Sequence, residues 1–254
     1  MGKKLLQIKQ ITKYFGGVKA LSDVTFDIAK GEVTGIIGPN GAGKTTLFNT
    51  ITGFITPTSG TILFKEKNIS KFSTNKIAKL GITRTFQNLS LFTNMSVLEN
   101  IMVGMHSHYK SGFSAALLGT PWVWKENRKI TERAKEIADE TGIGDIINIK
   151  SGDLPLGKLR LVELARALAM NPEILLLDEP ASGLNTTETS NFNELLQTIK
   201  KRYNLTIVVV EHDMDFIMDF SNKIIVLNFG QVIDIDTPEK VRKNPKVIEA
   251  YLGV

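Results

Sequence analysis

The stretch GPNGAGKTT, residues 38 to 46, fits the pattern G-x-x-x-x-G-K-[ST] and guides the interpretation of the whole chain. It follows the apolar run GEVTGIIG, which predicts a buried strand, and it leads into a helix expected to begin near Lys44. Glycines in such a turn let backbone N–H groups converge on phosphate oxygens, and the helix N-terminus adds a favourable dipole. The stretch therefore predicts a phosphate-binding loop.

The residues of this loop have expected roles at a bound nucleotide, which we take to be ATP with Mg²⁺. Lys44 is expected to neutralise the β and γ phosphates, and the Thr45 hydroxyl is expected to ligate Mg²⁺. The alternative is a glycine-rich turn that binds nothing, but the predicted strand and helix on either side favour the nucleotide. The other residues expected to contact the nucleotide are Gly38, Asn40, Gly41, Gly43 and Thr46.

A second stretch, ILLLDEP at residues 174 to 180, ends an aliphatic run with two acids. The run predicts a buried strand next to the strand of the phosphate-binding loop, and ligands bind at the carboxyl ends of such strands. Asp178 is then expected to hold Mg²⁺ through water, and Glu179 to orient and polarise the water that attacks the γ-phosphate. A lone acid could simply mark where the strand reaches the surface. The pair of acids favours nucleotide hydrolysis instead.

Composition limits the chemistry that the chain can carry. The 254 residues include no cysteine and three histidines, which excludes disulfides and thiol catalysis and favours an oxygen-bound metal. Positive and negative residues are interspersed, so the net charge of +5 indicates no particular partner. No apolar run is long enough to span a membrane, and the N-terminus lacks the apolar region of a secretory signal. We therefore expect a cytoplasmic protein.

The alternation of aliphatic strands with helices indicates an α/β protein with a parallel sheet covered on both faces. The chain opens with short strand candidates, LLQIKQI and VTFDI, and later elements include the amphipathic helix LRLVELARALA. No internal repeat divides the chain. We expect one domain over residues 1–254, with a helical insertion at about 88–170.

The order of these elements resembles the ATP-binding subunits of ABC transporters over essentially the whole chain. The resemblance implies a P-loop NTPase fold: a mixed-sheet core with an N-terminal antiparallel β subdomain and a helical subdomain. It implies that Phe15 in KYFGGVKAL stacks on adenine, and that Gln87 in RTFQN senses Mg²⁺ and couples to transmembrane subunits. It also implies that His212 in VVVEHDM contacts the γ-phosphate, beside Asp178 and Glu179. A core aromatic and a structural histidine are the alternatives for Phe15 and His212.

Within that family, the chain looks like an ATPase subunit of branched-chain amino-acid importers. ITGFITPTSGTILF, GITRTFQN, the long segment from Gly104 to Arg128 and the ending NPKVIEAYLG carry this resemblance. Importers of urea or short amides share much of the pattern. The resemblance implies a second ATPase subunit, two permease subunits and an external solute-binding protein, with the chain at the cytoplasmic face of the membrane. The other hypotheses are an ABC ATPase acting on nucleic acid, which we do not expect here, and a regulatory subunit with little hydrolysis.

The stretch LPLGKLR, residues 154 to 160, stands where the family has its LSGGQ signature, which faces the partner's nucleotide. Leu154 and Gly157 are retained, but Pro155 replaces the serine and Lys158 the glutamine. Asn185 likewise stands where the D-loop aspartate is usual. Proline has no N–H or hydroxyl to donate. We therefore expect a heterodimer with one weakened composite site, and a symmetric pair with a tolerated variant is the alternative.

Residues 105–127 contain an apolar cluster with Trp122 and Trp124 that is too short to cross a bilayer. We expect this segment to lie on or beside the helical subdomain and to face the permease or the membrane. The alternative is a packed surface loop. If the segment faces the permease, its deletion is expected to spare ATP binding and to impair assembly.

Overall fold

The computed structural model of the protein describes residues 3–85, 90–106 and 121–252, with the side chains of residues 121–125 and 252 excepted. The chain divides into two compact units, which are described separately. The sheet unit comprises Met1–Arg84, Glu173–Ala181 and Thr189–Val254, and the helical unit comprises Thr85–Pro172 and Ser182–Glu188.

The strands described all belong to the sheet unit and form two sheets. In chain order they are β1 (Lys4–Phe15), β2 (Val18–Ala29), β3 (Val33–Ile37), β4 (Ser59–Phe64), β5 (Lys67–Asn68), β6 (Ile82–Arg84), β7 (Ile174–Asp178), β8 (Thr206–Val210), β9 (Lys223–Asn228) and β10 (Gln231–Asp236). The first sheet is antiparallel, with the order β2-β1-β4-β5. The predicted strands LLQIKQI and VTFDI are parts of its two longest strands, β1 and β2.

The second sheet has the order β10-β9-β3-β8-β7-β6 and positions the expected nucleotide site. Its strands run parallel except β10, which pairs with β9 in the antiparallel sense. Every residue of β3, β7 and β8 is buried, as expected for aliphatic strands covered on both faces. The carboxyl ends of β3 and β7 therefore lead into the phosphate-binding loop and the two acids at one edge of this sheet.

The expectation that Asp178 ends a strand adjacent to the loop's strand is wrong. β8 lies between β3 and β7 and pairs with both of them in parallel. Its sequence, TIVVV, is apolar on both faces and therefore suits a central position in the sheet. The order of strands in the chain does not determine their order in the sheet, so β8 follows β7 in sequence and yet separates it from β3.

Both units contain helices. The sheet unit contains α1 (Lys44–Ile51), α2 (Thr74–Lys79), α7 (Met214–Phe220), α8 (Pro238–Val241) and α9 (Pro245–Leu252), and α6 (Thr186–Tyr203) starts in the helical unit and continues into the sheet unit. The hydrophobic core of the sheet unit joins residues of both sheets with Leu47, Phe48 and Ile51 of α1. Helix α1, which follows the glycine-rich turn, is thus held by the core on its apolar side.

The helical unit is built on α3 (Val97–Met105), α4 (Pro121–Glu140) and α5 (Leu156–Ala169). Ser96 and Glu99 form a capping box at the start of α3. A Cβ at Gly104 would lie 2.3 Å from the carbonyl oxygen of Arg166, so α3 approaches α5 too closely for a larger residue. Among the described residues, no helix combines the length and the apolar character that crossing a membrane requires.

Candidate functional site

The phosphate-binding loop connects β3 to α1, and its glycines adopt conformations that other residues reach only with strain. Gly38 has φ +154°, and a Cβ there would lie 2.1 Å from the carbonyl oxygen of Leu227. Gly43, with φ +103°, is the N-cap residue of α1 and has no side chain with which to cap it. The first N–H groups of a helix have no partner within the helix, so this helix start is suited to bind an anion.

Lys44 begins α1 and turns its side chain back into the loop. Its buried ammonium donates to the carbonyl oxygens of Gly38 at 2.6 Å and Pro39 at 3.0 Å. Burial lowers the pKa of Lys44, whereas the charges of Glu179 and Asp178 act to raise it. The ammonium is thus held in the centre of the loop, where the sequence predicts phosphate contacts.

The loop lines an open cleft of about 400 Å³. Phe15 does not line it; its half-exposed ring lies at the turn where Phe15 pairs with Val18, and the Lys13 ammonium is 5.2 Å from the ring centroid. Phe229, which the sequence analysis did not identify, is 85% exposed at the cleft with φ +44°. The lining residues are Val18, Lys19, Ala20, Asn40, Gly41, Ala42, Gly43, Lys44, Thr45, Thr46, Glu179, His212 and Phe229.

Glu179 and His212 are brought together at this cleft. The Glu179 Oε1 atom lies 2.9 Å from His212 Nε2, although the two residues are 33 positions apart in the chain. Glu179 has φ +49°, an uncommon conformation for this residue, and its N–H donates to the Val210 carbonyl at 2.9 Å. Strained backbone of this kind concentrates at functional sites. The predicted catalytic carboxylate is thus held between β7, β8 and the histidine.

Asp178 is buried at the end of β7 and does not line the cleft. Its Oδ2 atom accepts a hydrogen bond from Arg84 Nη2 at 2.5 Å, and both side chains are only 6% exposed. Arg84, the first residue of RTFQN, was not predicted to contact Asp178, because nothing in the local sequence links it to a residue 94 positions away. Asp178 therefore has an internal cationic partner that was not anticipated.

Glu211 is a further residue that the sequence analysis missed. Its buried carboxylate accepts hydrogen bonds from the N–H groups of Ala181 at 2.7 Å and His212 at 2.9 Å, with a longer contact to Asp213. Burial raises the pKa of Glu211, and these backbone hydrogen bonds oppose the rise. Glu211 thus ties the loop after Glu179 to the loop that carries His212. The only signal in the sequence was an acid between a buried strand and the predicted histidine.

We expect Glu211→Gln to destabilise the protein by about 1–3 kcal/mol, because the amide places an N–H group against backbone N–H donors. Urea denaturation of the full chain measures this change. Glu194→Gln is the control, because Glu194 is exposed on α6. Equal denaturation midpoints for Glu211→Gln and the wild type would show that these backbone hydrogen bonds do not matter to stability.

The signature stretch lies in the helical unit at the start of α5. Pro155 occupies the N-cap position and provides no side-chain cap. The Lys158 ammonium makes a long contact of 3.4 Å with the carbonyl oxygen of Gly142, and Leu154 follows a 3-10 turn formed by Ser151–Asp153. The first turn of α5 includes Gly157. This helix start therefore lacks the hydroxyl that a serine at residue 155 would contribute.

Asn185 has a local structural role at the start of α6. Its Oδ1 atom accepts from the N–H of Glu188 at 3.0 Å, and the Glu188 carboxylate accepts from the N–H of Asn185 at 3.0 Å. This reciprocal pair is a capping arrangement, for which asparagine and aspartate are similarly suited. Asn185 thus stabilises the start of α6. An aspartate at this position would also cap the helix.

Two predictions fall on parts of the chain outside the described residues. Gln87 lies within residues 86–89, and most of the predicted permease-facing segment lies within residues 107–120. Helix α4 begins at Pro121, but the side chains of Trp122 and Trp124 are also outside the description. The roles assigned to these residues therefore stay predictions.

Comparison with known proteins gives matches along the whole chain. The ABC transporter family matches residues 21–182, and a family described as branched-chain amino acid ATP-binding cassette transporter matches residues 236–254. The chain is 40% identical to the high-affinity branched-chain amino acid transport ATP-binding protein LivG of Salmonella typhimurium, over 100% of the chain and 99% of LivG. The high-affinity branched-chain amino acid transport ATP-binding protein BraF of Pseudomonas aeruginosa is also 40% identical, over 100% of the chain and 99% of BraF.

Solved structures agree with these similarities. The ADP conformation of MJ1267, an ATP-binding cassette of an ABC transporter, has a TM-score of 0.86 at 33% identity, covering 99% of this chain and 100% of MJ1267. A nucleotide-free cassette from an ABC transporter has a TM-score of 0.85 at 32% identity, with the same coverage. The expected fold class and the expected ATPase activity are therefore confirmed. The chain belongs to the ABC transporter family, among the branched-chain amino acid transport ATP-binding proteins of that family.

Proposed function

We propose that this chain binds Mg²⁺-ATP in the cleft at the phosphate-binding loop and hydrolyses it to drive import of a branched-chain amino acid. The observation that carries the proposal is the contact between Glu179 and His212 at the cleft that Lys44 and Thr45 also line. A loop that only bound nucleotide would need no carboxylate held at a strained backbone position beside a histidine. This arrangement supports hydrolysis over a purely regulatory role.

The residues divide the work at the nucleotide. The N–H groups at the start of α1 and the Lys44 ammonium would bind the phosphates, exchanging the contacts of Lys44 with Gly38 and Pro39 for phosphate oxygens. Glu179 would accept the proton of the attacking water, and His212 would orient this carboxylate and contact the γ-phosphate. Phe15, which pairs with the cleft residue Val18, would stack on an adenine that extends beyond the cleft, and Gln87 would respond to the metal, as the family resemblance implies.

The donors near the loop suit a magnesium ion. Thr45 lines the cleft and would offer its hydroxyl, and Asp178, the last residue of β7, would offer a second oxygen ligand through water. Magnesium is commonly held by one or two protein oxygen ligands together with phosphates and water, so a larger acidic cluster is not needed. When bound, the ion would neutralise charge on the β and γ phosphates.

The relatives' names place them in branched-chain amino acid transport. By this similarity we propose that the chain works at the cytoplasmic face of a membrane with two permease subunits and an external solute-binding protein. Its second ATPase subunit would be a paralogue, so that the two chains form a heterodimer. Urea or a short amide is the alternative solute.

The test is to isolate the complex with its permeases, reconstitute it in vesicles and add the solute-binding protein. ATP hydrolysis is expected to rise with leucine, isoleucine or valine, and not with urea or acetamide. If only urea or acetamide stimulated ATP hydrolysis, the proposed solute would be wrong and the proposed transport function would stand. Nuclease-sensitive association without permeases would instead favour an ATPase acting on nucleic acid.

We expect replacement of residues 107–120 by a glycine-serine linker to spare ATP binding and to reduce recovery of the permeases with the chain. These limits keep the buried Met105 and the start of α4 at Pro121. The physical reason is that the partner would lose the apolar contacts that this segment is proposed to make with it. Co-purification yield and the ATP dissociation constant are the two measurements. Normal recovery of the permeases would contradict the proposed role of the segment.

A further inference from the structure

The guanidinium of Arg84 is fixed on several sides at the end of β6. Nη2 donates to Asp178 Oδ2 at 2.5 Å, and Nη1 donates to Asn49 Oδ1 at 2.5 Å. The guanidinium carbon lies 5.5 Å from the centroid of the Phe48 ring. The Arg84 and Asp178 side chains are each 6% exposed. Arg84 is therefore held in one place by a carboxylate, an amide and an aromatic ring.

This position is next to both proposed magnesium ligands. β6 pairs in parallel with β7, which ends at Asp178, so the arginine reaches the carboxylate from the neighbouring strand. Its other partner, Asn49, follows Thr45 by four residues on α1, and residues at this spacing lie on one face of a helix. Arg84 thus contacts the strand end that carries Asp178 and the helix face that carries Thr45.

Lys44 does not take the place of this arginine. Its ammonium donates to the carbonyl oxygens of Gly38 and Pro39. Within the described part of the chain, Arg84 is the cation in direct contact with Asp178. A buried carboxylate without a cation or adequate hydrogen bonds is costly, so the arginine supplies compensation that a bound metal would also supply.

We propose that Arg84 is the resident counter-cation of Asp178: it positions this carboxylate when no metal is bound, and it weakens divalent-cation binding at the same carboxylate. The inference rests on the proposed role of Asp178 as a magnesium ligand. The fixed guanidinium stays beside the carboxylate when the ion arrives, so two cations share one anion and repel each other. The metal is then held firmly only when nucleotide phosphates add negative charge.

A purely structural ion pair would behave differently. Loss of either type of pair lowers stability, because it leaves a buried charge without its partner. Only a counter-cation that competes with the metal makes divalent binding tighter when it is removed. Metal affinity therefore distinguishes the two roles, and Arg84 acts through Asp178 as a positioning residue.

The experiment titrates Mn²⁺ into the full chain at one fixed, saturating ADP concentration and follows free Mn²⁺ by electron paramagnetic resonance. Arg84→Gln is expected to bind Mn²⁺ about tenfold more tightly than the wild type, because a nearby positive charge is removed. Arg84→Lys keeps the charge and is expected to stay within about threefold of the wild type. Unchanged or weaker Mn²⁺ binding by Arg84→Gln overturns the proposal.

Lys223→Gln is the matched control. It breaks another ion pair of the sheet unit, Lys223 with Glu32, whose side chains are 23% and 18% exposed. It is expected to lower the melting temperature equally with and without Mn²⁺-ADP, and to leave Mn²⁺ affinity unchanged. Arg84→Gln is expected to lose less stability when Mn²⁺-ADP is bound. If Arg84→Gln does not fold in EDTA, recovery with Mn²⁺-ADP supports the proposal, and failure to recover overturns it.

Asp178→Asn separates this inference from the proposed function. If Arg84→Gln and the Arg84→Gln/Asp178→Asn double variant bind Mn²⁺ equally, Asp178 is not the metal ligand and the magnesium assignment fails, and this inference fails with it. If Asp178→Asn weakens Mn²⁺ binding but Arg84→Gln does not tighten it, the magnesium assignment stands and only the counter-cation role of Arg84 fails.

Discussion

Glu179→Gln is expected to leave ATP affinity close to that of the wild type and to reduce turnover at its own site by about two to four orders of magnitude. The amide keeps the volume of the side chain and can still hydrogen-bond His212 Nε2, which lies 2.9 Å from Glu179 Oε1. It lacks the negative charge and the basicity that orient and polarise water. Binding and chemistry should therefore separate in this variant.

The measurement compares ATP binding and steady-state hydrolysis in a homogeneous complex. Lys44→Ala provides the contrast, because it removes the ammonium from the phosphate-binding loop and is expected to weaken binding itself. Wild-type turnover by Glu179→Gln would show that Glu179 does not activate the water. Equal losses of ATP affinity in the two variants would show that Glu179 instead contributes to binding.

The phosphate-binding loop was the most predictable part of the site because its determinants are local. The glycine spacing within residues 38–46 requires special backbone conformations, and the observed positive φ at Gly38, Gly41 and Gly43 agrees with it. The start of α1 at Lys44 follows from the same few residues. Short-range backbone geometry can therefore be predicted from the residues that adopt it.

The pairing of distant residues could not be predicted in this way. Arg84 meets Asp178 across 94 positions, and Glu211 meets Ala181 across 30. Both contacts depend on strand order, and β8 separates β3 from β7 against the sequence expectation. The apolar pattern of each strand specifies burial but not its neighbour. The partners of side chains at the ends of such strands can therefore be predicted only when the order of the strands in the sheet is known.

Phe15 and Phe229 illustrate a related difficulty at the cleft. The family resemblance indicates Phe15 as the adenine contact, yet Phe229 lines the cleft and Phe15 does not. Phe229 sits in the turn between β9 and β10, and β10 was not predicted from its alternating sequence QVIDID. The turn reaches the loop because the Gly230 N–H donates to the Ala42 carbonyl at 3.0 Å. An aromatic residue at a turn has no periodic pattern that reveals such a contact.

The remaining large effect concerns the signature stretch and the proposed paralogous ATPase partner. Pro155 is the N-cap residue of α5, where it can donate neither a hydroxyl nor an N–H hydrogen bond to a partner's γ-phosphate. Loss of a preorganised donor from a transition-state site typically costs about two to four kcal/mol. The nucleotide that faces Pro155 should therefore turn over slowly, while this chain's own Glu179 and His212 complete the stronger site with the partner's signature.

We expect Glu179→Gln to abolish most of the steady-state ATP turnover of the proposed heterodimer, and the matching glutamate-to-glutamine change in the partner to remove only a minor part. Pro155→Ser should raise turnover at the site that contains the partner's glutamate, because it restores the missing hydroxyl and N–H. Pro155→Ala is the control, because it restores the N–H without the hydroxyl and is expected to raise this turnover less. Equal losses from the two glutamate substitutions would contradict the asymmetry, because two equivalent sites would then contribute equally despite the proline.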